Sequence, residues 1–355
     1  MDNIHLALVL HDQSGHYSKY VGTTLLSVFE NMSVYNHSSI CVHIFHDDTL
    51  TKENKEKFEE LVYGYNNKIV FHKILMTDII CHGIDITIIK KNVERITIGA
   101  LYRLFIPNIL KNIEKVIYLD SDVLVNIDIR TLWNEDISEY YAAVVSDDKD
   151  MAKMYVDTKY YRNMGIDYRA YFNAGILLLN LKNINLNIDF SKESMKLLSV
   201  CTKFSDQDVL NALLKDKVKF IDKKYNLLID LQKGSDEKLA KQIKTKAVLH
   251  FAGYLKPWNC NNSDVIKLYC SYLIKTPWIR MQNDLIECLS FAAEENYQKI
   301  NLKNSLLYKE KDGSFEIFTM LLLKAILSND VFYRIQKNLR YSKIQFLYNY
   351  IYKNR

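Results

Sequence analysis

The chain has 355 residues, 48% hydrophobic and 25% charged, a balance that suits a globular protein with one large α/β domain plus an appendage. Glycine (10) and proline (3) are scarce and no internal repeat is found, which excludes loop-rich and low-complexity classes; six cysteines (Cys41, Cys81, Cys201, Cys260, Cys270, Cys288) without a CxxC pair fit reduced thiols in a cytoplasm better than a metal cage or disulfide scaffold. The net charge of +5 comes from 47 Lys+Arg against 42 Asp+Glu, and Arg334, Lys337, Arg340, Lys343, Lys353 and Arg355 in the acid-free stretch 331–355 account for the excess.

Asp2 stands where a signal peptide would carry positive charge, and the apolar run Ile4–Leu10 is short for one, so it reads as a first strand. The strand over His5–Leu10 meets a turn signal, His11-Asp12-Gln13-Ser14-Gly15. Helical spacing follows over Tyr20–Phe29, a strand over Ile40–Phe45, a helix over Thr51–Tyr63 with Thr51 as cap, and a strand over Lys68–His72. This alternation predicts an α/β fold with a mostly parallel sheet, whose ligands collect beyond the carboxyl ends of strands. Further strands are expected at residues 115–119, Tyr141–Val145, Gly175–Leu179, Val218–Ile221 and Ala247–Phe251. Helices are expected at Arg95–Leu104, Ser191–Leu198, Asp206–Leu214 and Ser263–Tyr272. β character fades after Pro277-Trp278, so 1–278 reads as the catalytic domain and 279–355 as a small helical appendage. No run reaches the ~18 apolar residues of a membrane span; Ile317–Leu327 is broken by Lys324.

The run Lys115-Val-Ile-Tyr-Leu119 ends in Asp120-Ser121-Asp122. In an extended chain residues i and i+2 point the same way. Two carboxylates aimed at one place are costly without a counter-charge, and a divalent metal is the obvious candidate. A capped helix start or solvated turn would also read this way. So would a haloacid-dehalogenase-type phosphatase, with Ser146-Asp147-Asp148 as its later acidic pair, but Leu124 stands where that enzyme wants Thr. Phe172-Asn173-Ala174-Gly175 reads as a small, tight turn before a buried strand, where a ligand can approach the backbone. Ser205-Asp206-Gln207-Asp208 opens a helix with acids in its first turn, which N-capping also explains. His250 ends a strand, and Gly253 and Lys256 follow. A lone strand-end His is commonly structural, but imidazole suits Mn²⁺ beside carboxylates and lysine offers a point charge to phosphate.

The order DxD, FNAG, DQD with LN, and HFAG with KPW resembles glycosyltransferase family 8, over roughly residues 3–280. That family includes glycogenin and bacterial lipooligosaccharide and lipopolysaccharide α-galactosyl- and α-glucosyltransferases. The resemblance implies a GT-A fold and a retaining, UDP-sugar-dependent hexosyltransferase. It also implies Mn²⁺, with Mg²⁺ as substitute, held by Asp120, Asp122 and His250. By the same resemblance Ser121 lies in the donor site, Gly253 and Lys256 hold the phosphates, Tyr17 stacks on uracil with Asp12 near the base, and Arg103 reaches donor phosphate and sugar. Asn173, Ala174, Asp206 and Gln207 would line the transferred sugar, with Asp206 and Gln207 as catalytic candidates. The loop His11–Tyr17 departs from the family pattern by being longer and having one fewer acid.

The donor is thus expected to be UDP-galactose or UDP-glucose and the acceptor a glycan or glycolipid. A glycogenin-like self-glucosylating enzyme is the alternative, since 25 tyrosines offer acceptors. The tail 331–355 interleaves its cations with Phe332, Tyr333, Tyr341, Phe346, Tyr348, Tyr350 and Tyr352. Such a segment suits the anionic inner face of a cytoplasmic membrane; packing on the protein's own body is the rival, and nucleic acid is not an expected partner.

Overall fold

β1 (Ile4–Leu10) and β2 (Ile40–His46) are buried along nearly their whole length, the signature of strands covered on both faces. In this computed structural model the described residues are 3–32, 39–75, 98–147, 161, 163–198, 206–260, 262–280 and 284. They divide into two units: Met1–Leu228 with Lys246–His250, and Ile229–Thr245 with Phe251–Arg355. The tail 331–355 and Ser205 lie outside the described residues.

The first unit continues with β3 (Lys68–Lys73), β4 (Lys115–Leu119), β5 (Val123–Val125), β6 (Ala142–Ser146), β7 (Phe172–Asn180), β8 (Val218–Phe220), β9 (Leu227–Leu228) and β10 (Val248–His250). A seven-stranded sheet runs β3-β2-β1-β4-β7-β6-β8, and a three-stranded one β5-β10-β9. In the large sheet β3, β2, β1 and β4 are mutually parallel, as are β6 and β8. Only β7 runs against its neighbours, β4 and β6. The expected mostly parallel sheet is present, with β7 as its reversed member.

Helix α1 (Ser18–Glu30) is buried on nearly every side. Helix α2 (Lys52–Gly64) buries Asn54, Phe58, Leu61 and Val62, spaced to fall on one face, and Thr51 caps it by accepting from Asn54 N at 3.2 Å. The core between sheet and helices gathers Tyr118, Val144, Leu177, Phe190 and Leu210. Among the described residues, no helix is long and apolar enough to cross a membrane.

Three expectations change. The helix expected at Arg95–Leu104 is observed as a short turn over Ile98–Leu101, a 3-10 stretch over Tyr102–Phe105 and another turn over Ile106–Ile109; residues 95–97 lie outside the described residues. The tight turn expected at residues 172–175 is strand, because Phe172 and Asn173 pair with Ser146 and Val145. After Asp122 the chain re-enters β structure as β5, which no periodicity in three residues could reveal.

The second unit contains the helices Asp236–Gln242 and Ser263–Leu273. Asn262 caps the latter by accepting from Val265 N at 3.0 Å, and its Nδ2 donates to Asp236 at 2.7 Å.

Candidate active site

β1 and β4 are adjacent and parallel, with Leu6 opposite Ile117 and Ala7 opposite Tyr118, so the loops after both strands emerge at the same carboxyl edge. Asp12 lies on the first and Asp120–Asp122 on the second. Asp12 is buried, and its carboxylate accepts from Tyr17 N at 2.6 Å, Ser18 N at 3.0 Å and Ser18 Oγ at 2.5 Å. It therefore serves the orphan N–H groups at the start of α1 and shapes the loop that carries Tyr17. The Tyr17 hydroxyl lies 2.6 Å from Ser121 Oγ. Farther along α1, Thr24 Oγ1 lies 2.9 Å from the carbonyls of both Ser121 and Val123, and Ser27 Oγ accepts from Val125 N at 2.9 Å. One face of α1 thus stitches down the whole turn that displays the two aspartates.

The small sheet supplies the imidazole. Val123, next to Asp122, pairs with His250 in the antiparallel β5–β10 ladder. This register brings together groups far apart in sequence. His250 Nε2 lies 3.4 Å from Asp122 Oδ1 and 4.0 Å from Asp120 Oδ2. The ligand atoms of Asp120, Asp122 and His250 lie within 4.8 Å of one another. Two carboxylates and one imidazole form a hard-to-borderline donor set suited to Mn²⁺ or Mg²⁺, the latter less so because of the nitrogen. His5, Cys41 and His43 also converge. There, however, His5 Nδ1 faces His43 Nε2 at 3.0 Å and His43 Nδ1 faces His72 Nε2 at 2.9 Å, so both ring nitrogens of His43 are already engaged.

Gly175 makes the convergence sterically feasible. A Cβ at this position would lie 2.9 Å from Asp120 Oδ2 and from His250 Nδ1, and would press on His250 Cε1. The sequence pattern suggested that a ligand approaches this backbone; the groups that do so are the protein's own imidazole and carboxylate.

Arg103 is the counter-charge. Its buried guanidinium sits 2.9 Å from Asp120 Oδ1 through Nη2, 2.9 Å from Asp206 Oδ2 through Nε, and donates to Ala174 O at 2.8 Å. It lies over the Tyr118 ring, whose hydroxyl donates to Asp120 Oδ1 at 2.5 Å. Burial disfavours the guanidinium's charge, but Asp120, Asp206 and Asp122 hold its pKa well above its ordinary value. Burial also lifts the Asp206 carboxyl to about 6 despite Arg103. The sequence motif alone pointed to a metal as the charge between the aspartates; the structure adds a permanent cation beside Asp120.

The helix Asp206–Leu214 is locked onto the start of β7. Gln207 Oε1 accepts from Ala174 N at 3.0 Å while its Nε2 donates to Tyr171 Oη at 3.2 Å. The Tyr171 hydroxyl in turn donates to Asp208 at 2.7 Å. Asn211 accepts from Phe172 N and donates to Phe172 O, both at 2.9 Å. The FNAG and DQD motifs, read separately in the sequence, are two halves of one clamp.

Asn226, absent from the sequence-based candidates, is buried with its Oδ1 2.9 Å from His250 Nδ1 and its Nδ2 2.9 Å from Asn173 Oδ1. An asparagine in a short 3-10 turn carries no motif signal. In the second unit, Gly253 adopts φ +105, where a side chain would be strained, and Lys256 Nζ donates to Phe251 O at 3.1 Å.

The Glycosyl transferase family 8 profile matches residues 9–262. A candidate glycosyltransferase of Haemophilus influenzae is 30% identical over 71% of this chain and 72% of its own length. The lipopolysaccharide 1,3-galactosyltransferase of Salmonella typhimurium is 26% identical over 62% of this chain and 64% of its own length. In fold, the chain is similar to the galactosyltransferase LgtC, solved with donor and acceptor sugar analogues, with a TM-score of 0.61 at 22% identity, covering 77% of this chain and 96% of that one. The sheet described above is thus of the GT-A kind, as expected. With a family match reaching from the end of β1 to the residues beyond His250, this chain belongs to glycosyltransferase family 8.

Proposed function

We propose that the protein transfers galactose or glucose from a UDP-sugar to a hydroxyl of a surface glycan, of lipooligosaccharide, lipopolysaccharide or glycoprotein type, with retention at the anomeric carbon. The observation that carries this reading is the convergence of Asp120, Asp122 and His250 at the carboxyl edge of the sheet. The lipopolysaccharide part draws on the names of relatives, the Salmonella galactosyltransferase and an Escherichia coli lipopolysaccharide 1,2-glucosyltransferase that is 28% identical over 50% of this chain.

In this reading Asp120, Asp122 and His250 would hold Mn²⁺, or Mg²⁺ in its place, and the bound ion would supply Lewis acidity toward the departing diphosphate. Arg103 pairs with both Asp120 and Asp206 and holds the two carboxylates in their observed orientations. Gly253 and Lys256 take the phosphates, Tyr17 the uracil, and Asp12 holds Tyr17 in place. Ser121, Asn173 and Ala174 shape the floor of the donor site. Gln207 is a weak nucleophile to begin with, and its carbonyl oxygen is turned to Ala174 N. This favours attack by the acceptor hydroxyl on the face the diphosphate leaves, with Asp206 and Gln207 orienting the sugar. The acceptor's proton then passes to the leaving phosphate oxygen.

Self-glucosylation is the second candidate within the family. The phosphatase alternative gains no support: Asp120 is turned toward Tyr118 and Arg103, and Leu124 is buried opposite Leu249 in β5. We assign catalysis to residues 1–278 and keep 279–355 as an appendage whose basic tail tethers a cytoplasmic enzyme to the membrane. The test is incubation with UDP-glucose or UDP-galactose and Mn²⁺, followed by intact mass. UDP release without a mass increment on the protein supports transfer to a separate acceptor; a hexose ladder on the protein assigns the glycogenin-like reading.

A further inference from the structure

We infer that Asn173 and Asn226 are positioning residues that fix the tautomer of His250, leaving the Nε2 lone pair to face the two aspartates. This deepens the metal reading of the triad and rests on it.

The assignment starts from a group whose role is not in question. Gly175 N is a backbone donor, and it lies 3.0 Å from one terminal atom of the Asn173 side chain. A donor cannot face an NH₂ group, so that atom is the carbonyl oxygen, whichever way the amide would otherwise be drawn. The same oxygen meets the Asn226 side chain at 2.9 Å, so Asn226 presents its NH₂ there. The other end of the Asn226 amide, its oxygen, then faces His250 Nδ1 at 2.9 Å. An amide oxygen only accepts. His250 Nδ1 must therefore carry the hydrogen, and in the neutral ring Nε2 is left with a lone pair, 3.4 Å from Asp122 Oδ1 and 4.0 Å from Asp120 Oδ2. The order of donation runs His250 to Asn226 to Asn173, with Gly175 N also donating into the same Asn173 oxygen.

The relay works against a local preference. Beside two carboxylates and without a metal, the imidazole gains by turning an Nε2–H toward Asp122, a charge-assisted hydrogen bond. That tautomer cannot ligate through Nε2. Asn226 and His250 are both buried, so water does not readily take the place of the Asn226 oxygen, and the alternative tautomer would leave that oxygen facing a bare ring nitrogen. Outer partners of this kind set both ring orientation and ligand basicity in metal sites. Gly175 contributes twice: its N–H anchors the chain of bonds, and its missing Cβ admits the ring.

The test uses the full-length protein labelled with ¹⁵N-histidine, with His250 assigned by loss of its signals in His250→Gln. In the metal-free wild type at a pH where the ring is neutral, the pyridine-type shift is expected at Nε2 and the N–H shift at Nδ1. Asn226→Leu should populate the reverse tautomer and weaken Mn²⁺ binding about 10- to 100-fold by electron paramagnetic resonance titration. Asn226→Asp loses the bond to Asn173 but keeps an acceptor at Nδ1, and where the ring is neutral it should retain the wild-type tautomer, a rescue that a merely space-filling role would not give. An unchanged tautomer in a folded Asn226→Leu, or Nε2–H in the wild type, overturns the inference. A wild-type protein with the expected tautomer but no Mn²⁺ affinity would uphold the relay while removing the metal reading on which its purpose rests.

Discussion

Gly175→Ala adds one methyl group where the candidate metal ligands meet. The backbone at this position is ordinary strand, paired to β4 through Leu119 and Ile176 and through Asp120 N donating to Gly175 O at 2.8 Å, so the substitution acts through space. The new Cβ would stand 2.9 Å from Asp120 Oδ2 and His250 Nδ1, against an ordinary contact of 3.4–4 Å. The imidazole must retreat by at least the difference. It cannot do so freely, because Nδ1 is bonded to Asn226 and the ring is buried. Overpacking of this kind costs about 1–3 kcal/mol, which for a protein of this size lowers the melting temperature by roughly 1–2 °C per kcal/mol. The effect on metal affinity should be larger, because the displaced atoms are the ligands: a loss of about tenfold or more, the scale seen when ligand orientation is disturbed. Thermal melting by circular dichroism and Mn²⁺ titration by electron paramagnetic resonance, on wild type and variant side by side, give both numbers. A variant that melts with the wild type and binds Mn²⁺ equally well refutes the packing argument.

Four further outcomes follow from the same geometry. Arg103→Met leaves Asp120 and Asp206 without their shared cation and should cost about 3–5 kcal/mol in urea unfolding; a loss below 1 kcal/mol would mean the carboxylates find another partner. His43 is lowered to about 3, by burial first and then by His72 and His5; the unfolded chain, nearer 6.5, therefore binds the proton more readily, stability is complete above 6.5, and it falls as pH drops toward 3. By pH 5 this one group should remove about 2 kcal/mol, and a urea series at pH 7 and pH 5 should show the loss shrinking in His43→Gln. Asp12→Ala removes the acceptor for Tyr17 N, Ser18 N and Ser18 Oγ and should cost about 1–2 kcal/mol while raising KM for the donor; an unchanged KM would separate Asp12 from Tyr17 placement. Gln207→Ala should keep reduced but measurable transfer, and a sugar covalently trapped on residue 207 would overturn same-face attack.

The parts of the site legible in the sequence are those carried by local pattern. Lys115–Leu119 is a dense β-prone run, and the aspartates that end it announced themselves by spacing; His250 did so by closing another strand. What joins them is β5, three residues long and defined only by its ladder to β10, and no local window contains that pairing. The family resemblance implies Arg103 as a donor ligand, whereas its links to Asp120 and Asp206 depend on a 3-10 stretch where the spacing predicts a longer helix. Asn173 looked like a turn residue because small and polar side chains cluster there. It is a strand residue because it pairs with Val145 of β6, while Asn211 and Gln207 bind the backbone of its neighbours from the helix Asp206–Leu214. Asn226 gave no signal at all: its meaning lies in a ring nitrogen contributed by a different strand.

The central claim is that Asp120, Asp122 and His250 hold the metal for UDP-sugar chemistry. It is tested most directly by UDP release from a panel of UDP-sugars with and without Mn²⁺, in wild type and Asp122→Asn. The account predicts metal-dependent release from UDP-galactose or UDP-glucose in the wild type, and loss of most of it in a folded Asp122→Asn. Near-normal, metal-dependent turnover in that variant would contradict it.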